Sequence, residues 1–280
     1  MIQRWLDYMM HSLLILATLA WASLATAADY TVGVVPQFPA LAIHRTWTPL
    51  LERLSTMTGH MFKLEQYATI PDFEKAFLGG KPDLVYLNPY HMVMANGAQR
   101  YLPLVRDGQN KLSGILVVRA DSTAKTLADL DGKTIAFPSP NAFGASLYLR
   151  ALLAQSGATI KPDYVKTHTN GYRHALLGLA AAAGGIRSTL EREPAELRGQ
   201  LRVLYETPAV IPHPLAAHPR VPVATQDGVR EAILKLAATN DGKALLKDIQ
   251  MPAPAAANYA ADYASLLSLQ LERFVVRSAE

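Results

Sequence analysis

The sequence predicts an α/β fold, because short β-branched runs alternate with amphipathic segments along most of the chain. Half of the 280 residues are hydrophobic, so a substantial core is available. From residue 30 to 87 the order is strand, helix, strand, helix, strand, which predicts a parallel sheet with helices on its faces. The last third is mainly helical in pattern.

The strand predictions rest on β-branched or alternating runs. They cover 30–35, 62–67, 83–87, 102–105, 114–119, 133–137, 164–168 and 201–205. The helix predictions rest on apolar residues at helical spacing, such as Trp47, Leu50 and Leu54. They cover 45–57, 72–78, 91–98, 142–155, 172–183, 228–239, 242–248 and 262–274.

Three stretches are predicted boundaries. Residues 106–111 are polar and rich in turn formers, and 191–200 are charged. Residues 208–222 contain five prolines, which predicts irregular structure because proline lacks the backbone N–H that helices and sheets use.

The first 27 residues predict an export signal. Arg4 precedes a mostly apolar run over 9–25, and Ala25-Thr26-Ala27 places small residues before a cleavage point near Ala27. We therefore expect a periplasmic protein with its signal peptide, 1–27, removed. No cysteine follows the apolar run, so a lipoprotein anchor is not expected.

Composition excludes several classes of function. The formal net charge is +4 without a block of Lys or Arg, so no nucleic-acid partner is expected. There is no cysteine, hence no disulfide, thiolate metal site or cysteine nucleophile. The eight histidines match no metal-ligand spacing, and no phosphate-loop, dinucleotide-binding or serine-hydrolase motif is present. We expect no enzyme activity, no metal and no cofactor.

Several segments carry a family resemblance. They are GVVPQ at 33–37, DLVYLNPY at 83–90, GILVV at 114–118 followed by Asp121-Ser122, LADLDGKTIAF at 127–137, Pro140-Asn141 and Ile211-Pro212. In this order they resemble the phosphate, phosphite and phosphonate-binding proteins of ABC importers. The resemblance runs across nearly the whole chain after the export signal, and the stretch at 127–137 is its most specific part.

The resemblance implies a type 2 periplasmic binding protein fold. Each of two lobes would be a mainly parallel sheet flanked by helices, with two crossover segments between them. The first lobe would hold 29–110 and 205–280, and the second 111–204. The implied partners are a small-molecule ligand in the cleft and a membrane ABC permease, and we expect a monomer.

Ligands of open α/β sheets bind beyond the carboxyl ends of strands, which selects all but one of the candidate ligand-binding residues. His213 is added because it lies between two prolines where the chain is expected to recross the cleft. The candidates are Gln37, Phe38, Asn88, Tyr90, His91, Asn141, Ala142, Phe143, His168, Tyr172 and His213. Each has a structural alternative, such as helix capping for Asn141 or core packing for Tyr172. By resemblance His168 matches a family site, and His168 and Tyr90 would contact the ligand from opposite lobes.

The ligand itself is not fixed by the resemblance. Phosphonate binders carry Ser/Thr hydroxyls at a helix entry that corresponds here to Ala142, Phe143 and Gly144. Backbone N–H groups at such a helix start can still bind an anion. The acids that meet an ammonium group correspond to the region of Arg187 and to His213. An aminoalkyl phosphonate is therefore the least favoured ligand, while phosphite, phosphate and other small molecules remain open.

Two other function classes remain open at this point. A ligand-binding partner of a membrane sensor kinase would have the same fold and cleft. A periplasmic hydrolase would need a nucleophile with its base, and no motif for that pair is present.

Overall fold

A computed structural model describes residues 27–276, and it contains two sheets. The first sheet has the strand order β11-β4-β10-β3-β1-β2, and the second has the order β7-β6-β8-β5-β9. The first contains β1 (Asp29–Val34), β2 (Met61–Glu65), β3 (Leu84–Tyr86), β4 (Leu102–Asp107), β10 (Pro214–Ala217) and β11 (Pro254–Ala256). The second contains β5 (Gly114–Arg119), β6 (Thr134–Phe137), β7 (Lys161–Tyr164), β8 (Ala182–Ile186) and β9 (Leu201–Glu206).

Helices flank both sheets. The first lobe, built on the first sheet, carries α1 (Ala40–Thr58), α2 (Ile70–Leu78), α3 (Pro89–Gln99), α8 (Val223–Leu236), α9 (Asn240–Asp248) and α10 (Tyr259–Asp262). The second lobe, built on the second sheet, carries a π-helix (Phe143–Leu147) continued by α4 (Tyr148–Gln155), then α5 (His168–Leu176), α6 (Arg187–Glu191) and α7 (Ala195–Gly199). Short 3₁₀-helical segments lie at Ala128–Leu130, Ala264–Leu269 and Leu271–Phe274.

The two-lobed α/β architecture expected from the sequence is confirmed, but each sheet is mixed and not mainly parallel. β1 lies parallel between β2 and β3, and β6 lies parallel between β7 and β8. β10 pairs antiparallel with β3 and β4, and β5 pairs antiparallel with β8 and β9. The chain changes sheet between Asp107 and Gly114 and returns between Glu206 and Pro214. The lobe limits predicted at 110 and 204 stay a prediction.

The signal-peptide prediction falls almost entirely on residues 1–26, which lie outside the described residues. Within the described part, no helix has the length and apolar character needed to cross a membrane.

The central strand β5 shows how the second lobe is stabilised. Ile115 and Val117 pack into one hydrophobic cluster and Leu116 and Val118 into another. Successive side chains of a strand point to opposite faces, so this continuous apolar run buries both faces of the sheet under helices.

The structure corrects two predictions around β8. The sequence predicts a strand over 164–168, but the strand found there, β7, ends at Tyr164. It also predicts a helix over 172–183, but the helix found there, α5, ends at Leu176. Residues Ala182–Ile186 instead form a central strand of sequence AAGGI. A Cβ atom on Gly184 would overlap the carbonyl oxygen of Ala145. Close approach of the π-helix therefore requires glycine in the strand, although glycine is unfavourable in strands in general.

A third correction concerns the proline-rich stretch 208–222, which was predicted to be irregular. Pro214 is the first residue of β10, where a missing N–H is tolerated, and the other four prolines lie outside the strand. The helix predicted at 262–274 is likewise shorter, because the chain there forms α10 and two 3₁₀ segments.

The two crossover segments are joined to each other. Leu112 and Val210 form an isolated antiparallel bridge, in which each backbone N–H donates to the carbonyl of the other at 2.9 and 3.0 Å. The hinge between the lobes is therefore a short two-stranded ribbon.

Candidate functional site

A cavity of about 430 Å³ lies between the two lobes. Its volume falls in the range of ordinary small-molecule sites. The first lobe supplies Val35, Pro36, Gln37, Ala68, Thr69, Ile70, Pro71, Asn88 and His213, and the hinge supplies Leu112. The second lobe supplies Pro138, Ser139, Pro140, Ala142, Phe143, Gly144, Ala145, Tyr164, Lys166, His168 and Ile186.

Helix N-termini from both lobes meet at this cavity. Thr69 caps α2, and Asn88 caps α3 by accepting a hydrogen bond from the His91 N–H. In the second lobe the π-helix starts at Phe143 and α5 starts at His168. The first turn of a helix has N–H groups without intrahelical partners and a partial positive charge. The convergence of four such ends favours a negatively charged ligand.

The charge of the residues that line the cavity also favours a negatively charged ligand. Among residues 27–276, no aspartate or glutamate lines the cavity, whereas Lys166 does. Lys166 has φ = 73°, in the left-handed region that non-glycine residues seldom adopt. This conformation lies in the turn between β7 and α5, and a strained residue beside a cavity is typical of functional sites.

Two buried histidines lie in the wall and are neutral at pH 7. Burial lowers the pKa of His168 to about 4, and its Nδ1 atom has no hydrogen-bond partner within the described chain. Burial lowers the pKa of His213 to about 3, with smaller contributions from repulsion by His91 and His168 when their rings are protonated. The His213 ring stacks on Tyr86 with 5.5 Å between ring centroids. Neutral imidazoles offer a ligand one donor and one acceptor each.

The structure brings six of the eleven sequence-predicted residues together at the cavity. They are Gln37, Asn88, Ala142, Phe143, His168 and His213. His168 reaches the cavity from the first turn of α5 and not from the end of a strand. The role of each residue in ligand binding stays a prediction.

The other five predicted residues do not line the cavity. Phe38 is adjacent to Gln37, and the Arg192 guanidinium of the second lobe lies 5.0 Å from its ring centroid. Tyr90 donates to Glu272 at 3.4 Å. Tyr172 is fully buried under β8, where its hydroxyl bonds Thr189 at 2.7 Å.

The remaining two, His91 and Asn141, belong to a buried polar network between the lobes. Glu74 of α2 contacts His91 Nε2 through Oε1 at 2.9 Å, and accepts from Asn141 Nδ2 through Oε2 at 2.9 Å. Asn141 also exchanges two hydrogen bonds with the backbone of Val276 at 2.8 and 2.9 Å. Asn141 precedes Ala142 in the cavity wall, so this network fixes the second lobe against the first beside the site.

Sequence reasoning missed Lys166, Tyr164 and Thr69 as lining residues. Tyr164 is the last residue of β7, so the rule that ligands lie beyond strand ends would have found it with correct strand limits. Thr69 could have been found as an N-cap, since it precedes Ile70-Pro71-Asp72 at a helix start. Among the described residues, no group of three His, Cys, Asp or Glu side chains is placed to hold a metal ion.

Comparisons with known structures agree with this architecture. A binding protein component of an ABC phosphonate transporter from Pseudomonas aeruginosa has a TM-score of 0.75 at 17% identity, over 89% of this chain and 86% of that one. PhnD1 from Prochlorococcus marinus in complex with methylphosphonate has a TM-score of 0.78 at 15% identity, over 88% and 98% of the two chains. At such identities the likeness shows the fold alone.

A curated relative belongs to a different functional class. The tetrathionate sensor histidine kinase TtrS of Salmonella typhimurium is 29% identical over 148 residues. The match covers 50% of this chain and 24% of the kinase, so the chain matches about a quarter of that protein's length.

The model of one protein family matches residues 32–263, and its description is that of an ABC transporter, phosphonate, periplasmic substrate-binding protein. The match contains nearly all of both sheets and every residue that lines the cavity. The chain therefore belongs to the family of periplasmic substrate-binding proteins of phosphonate ABC transporters.

Proposed function

We propose that this protein captures a small oxyanion in the cavity between its lobes and delivers it to a membrane ABC permease, without turning it over. The observation that carries the proposal is the meeting of four helix N-termini at a cavity whose described lining contains a lysine and no carboxylate. The proposal includes export to the periplasm and cleavage near Ala27.

The residues that line the cavity would contact the ligand in different ways. The first N–H groups of the π-helix, from Phe143 onward, would donate to the anion, as helix starts do in phosphate sites. His168 would donate a hydrogen bond from its first-turn position in α5. Lys166 adds a positive charge at the same wall. Closure of the lobes about the crossover ribbon would then exclude water from the ligand.

A thermal-shift screen tests the proposal. Purified residues 28–280 are heated with phosphite, phosphate, methylphosphonate, aminoethylphosphonate, sulfonates and tetrathionate. A ligand at a hundredfold excess over its Kd stabilises the folded state by about 2.7 kcal/mol. For a chain of this length that raises Tm by about 5–10 °C.

A pair of histidine variants tests whether the ligand binds in the cavity. His168→Ala should lose the shift, while His174→Ala should keep it. His174 lies on the same helix but outside the cavity, where it contacts Asp163 at 3.4 Å. Absence of a shift with every oxyanion, or an equal loss in both variants, contradicts the proposal.

The kinase relative supports a second candidate function, which is ligand recognition for a sensor kinase. The aligned half of this chain is similar to part of a protein named for sensing tetrathionate, itself an oxyanion. The same capture step would then control a kinase in place of a permease. Uptake of labelled ligand by cells with and without the gene separates the two functions, because uptake depends on the protein in the transport case alone.

A further inference from the structure

The cavity is much larger than a bare oxyanion. At about 30 Å³ per water molecule, 430 Å³ corresponds to roughly 14 waters. Phosphate, phosphite and sulfate have four or five non-hydrogen atoms. A bare anion bound at one wall therefore leaves more than half of the space to be filled by water or by the rest of a larger ligand.

Apolar side chains from both lobes and the hinge contribute to the wall of this cavity. Val35 and Ile70 come from the first lobe, Phe143 and Ile186 from the second, and Leu112 from the ribbon. All five are buried. Water beside such walls lacks hydrogen-bond partners, and an apolar group that displaces it gains affinity.

A positively charged group on the ligand finds no counter-ion among the described lining residues. The described lining contains no carboxylate that could meet an ammonium group. The buried acid Glu74, which pairs with Asn141 beside the cavity wall, already uses both oxygens, one on His91 and one on Asn141. Burying an ammonium group without a partner is strongly unfavourable.

We infer that the ligand is an organic oxyanion, a phosphonate or a sulfonate, whose body is uncharged, apolar and about the size of an aromatic ring. This inference rests on the proposed oxyanion capture and adds the nature of the group attached to the anion. The anionic head lies at the helix N-termini, and the body fills the apolar part of the cavity.

Calorimetric titration with matched ligands tests the body of the ligand. Phenylphosphonate should bind about 30-fold more tightly than methylphosphonate, which is about 2 kcal/mol at 1.4 kcal/mol per tenfold. The ligand 4-(aminomethyl)phenylphosphonate, which carries one additional ammonium group, should bind at least tenfold more weakly than phenylphosphonate. Benzenesulfonate in the same series shows whether the site prefers the phosphonate or the sulfonate head.

A variant places a carboxylate in the apolar wall. Ile70 is the first residue of α2, where aspartate is compatible with the helix dipole. Ile70→Asp should weaken phenylphosphonate at least tenfold and remove the discrimination against the ammonium-bearing ligand. Leu41→Asp is the matched control, because Leu41 lies in the first turn of α1, is 62% exposed and is outside the cavity.

The outcomes separate this inference from the proposed function. If methylphosphonate or phosphite binds with dependence on His168 but phenylphosphonate has no advantage, oxyanion capture stands and the inferred body is wrong. If tetrathionate, charged at both ends, binds more tightly than phenylphosphonate, the uncharged body is also wrong. If no oxyanion binds, both fail. The wild-type titrations decide these cases even if Ile70→Asp does not fold.

Discussion

Acidification should destabilise the protein through His168. Burial lowers the pKa of this imidazole from 6.5 to about 4 in the folded state. Above pH 6.5 the folded and unfolded chains both hold it neutral, so it adds no pH dependence there. Below pH 6.5 the unfolded chain takes up a proton first, and stability is lost until the folded pKa is reached.

The magnitude follows from the difference between the two pKa values. A shift of one pKa unit corresponds to 1.36 kcal/mol, so the fall from 6.5 to about 4 amounts to roughly 3 kcal/mol by pH 4. This is a large fraction of the 5–15 kcal/mol that typically separates folded and unfolded domains.

Urea unfolding at pH 7.5, 6, 5 and 4 measures the effect. His168→Gln removes the titrating group, so this variant should lose about 3 kcal/mol less than the wild type between pH 7.5 and pH 4. His174→Gln, on the same helix with its side chain 30% exposed, is the control and should follow the wild type. If the free energy of unfolding falls with pH by the same amount in His168→Gln and in the wild type, the assignment of a buried neutral imidazole is refuted.

Three further predictions concern packing and closure. Gly184→Ala should lower the free energy of unfolding by about 1–3 kcal/mol, measured in urea, because its methyl group has no room against the π-helix. Gly199→Ala, where a Cβ meets nothing within 4 Å, should not lower it. Glu74→Ala removes the carboxylate that contacts His91 Nε2 and accepts a hydrogen bond from one N–H of Asn141, whose other N–H still donates to Val276. Calorimetry should therefore show weaker ligand binding, and urea unfolding a loss of about 2 kcal/mol. Arg192→Ala removes the contact with Phe38 across the lobes, worth about 0.5–1 kcal/mol, and should raise the ligand dissociation rate by about two- to fivefold in stopped-flow measurements.

Each of these predictions has a result that contradicts it. Equal stability of the two glycine variants would mean that the strand can move away from the π-helix. Unchanged affinity in Glu74→Ala would mean that the polar network plays no part in closure. An unchanged dissociation rate in Arg192→Ala would leave the contact with Phe38 as a feature of the surface.

The sequence predicted the architecture because the βα alternation and the apolar runs are local signals. β5 illustrates this, since GILVVR is recognisable as a doubly buried strand without knowledge of its neighbours. β8 could not be predicted in the same way. Its sequence AAGGI has low strand propensity, and it is a strand because Tyr172 and the π-helix pack directly on its small residues.

The candidate site was predictable in its location but not in its detail. Strand ends pointed to Gln37, Asn88 and Phe143, all of which line the cavity. Lys166 was missed because its position depends on a backbone turn with positive φ, which sequence alone does not reveal. Asn141 was expected at a helix start, and its pairing with Glu74 joins residues 67 positions apart in the chain.

The paired crossovers have a mechanical consequence for ligand recognition. Leu112 forms one side of the ribbon and is also part of the cavity wall, so a ligand held in the cavity would contact the connection between the lobes. The size of the ligand beside Leu112 would then limit how far the two lobes close. Small-angle scattering across a series of ligands of increasing size should therefore show a radius of gyration that increases with the size of the ligand.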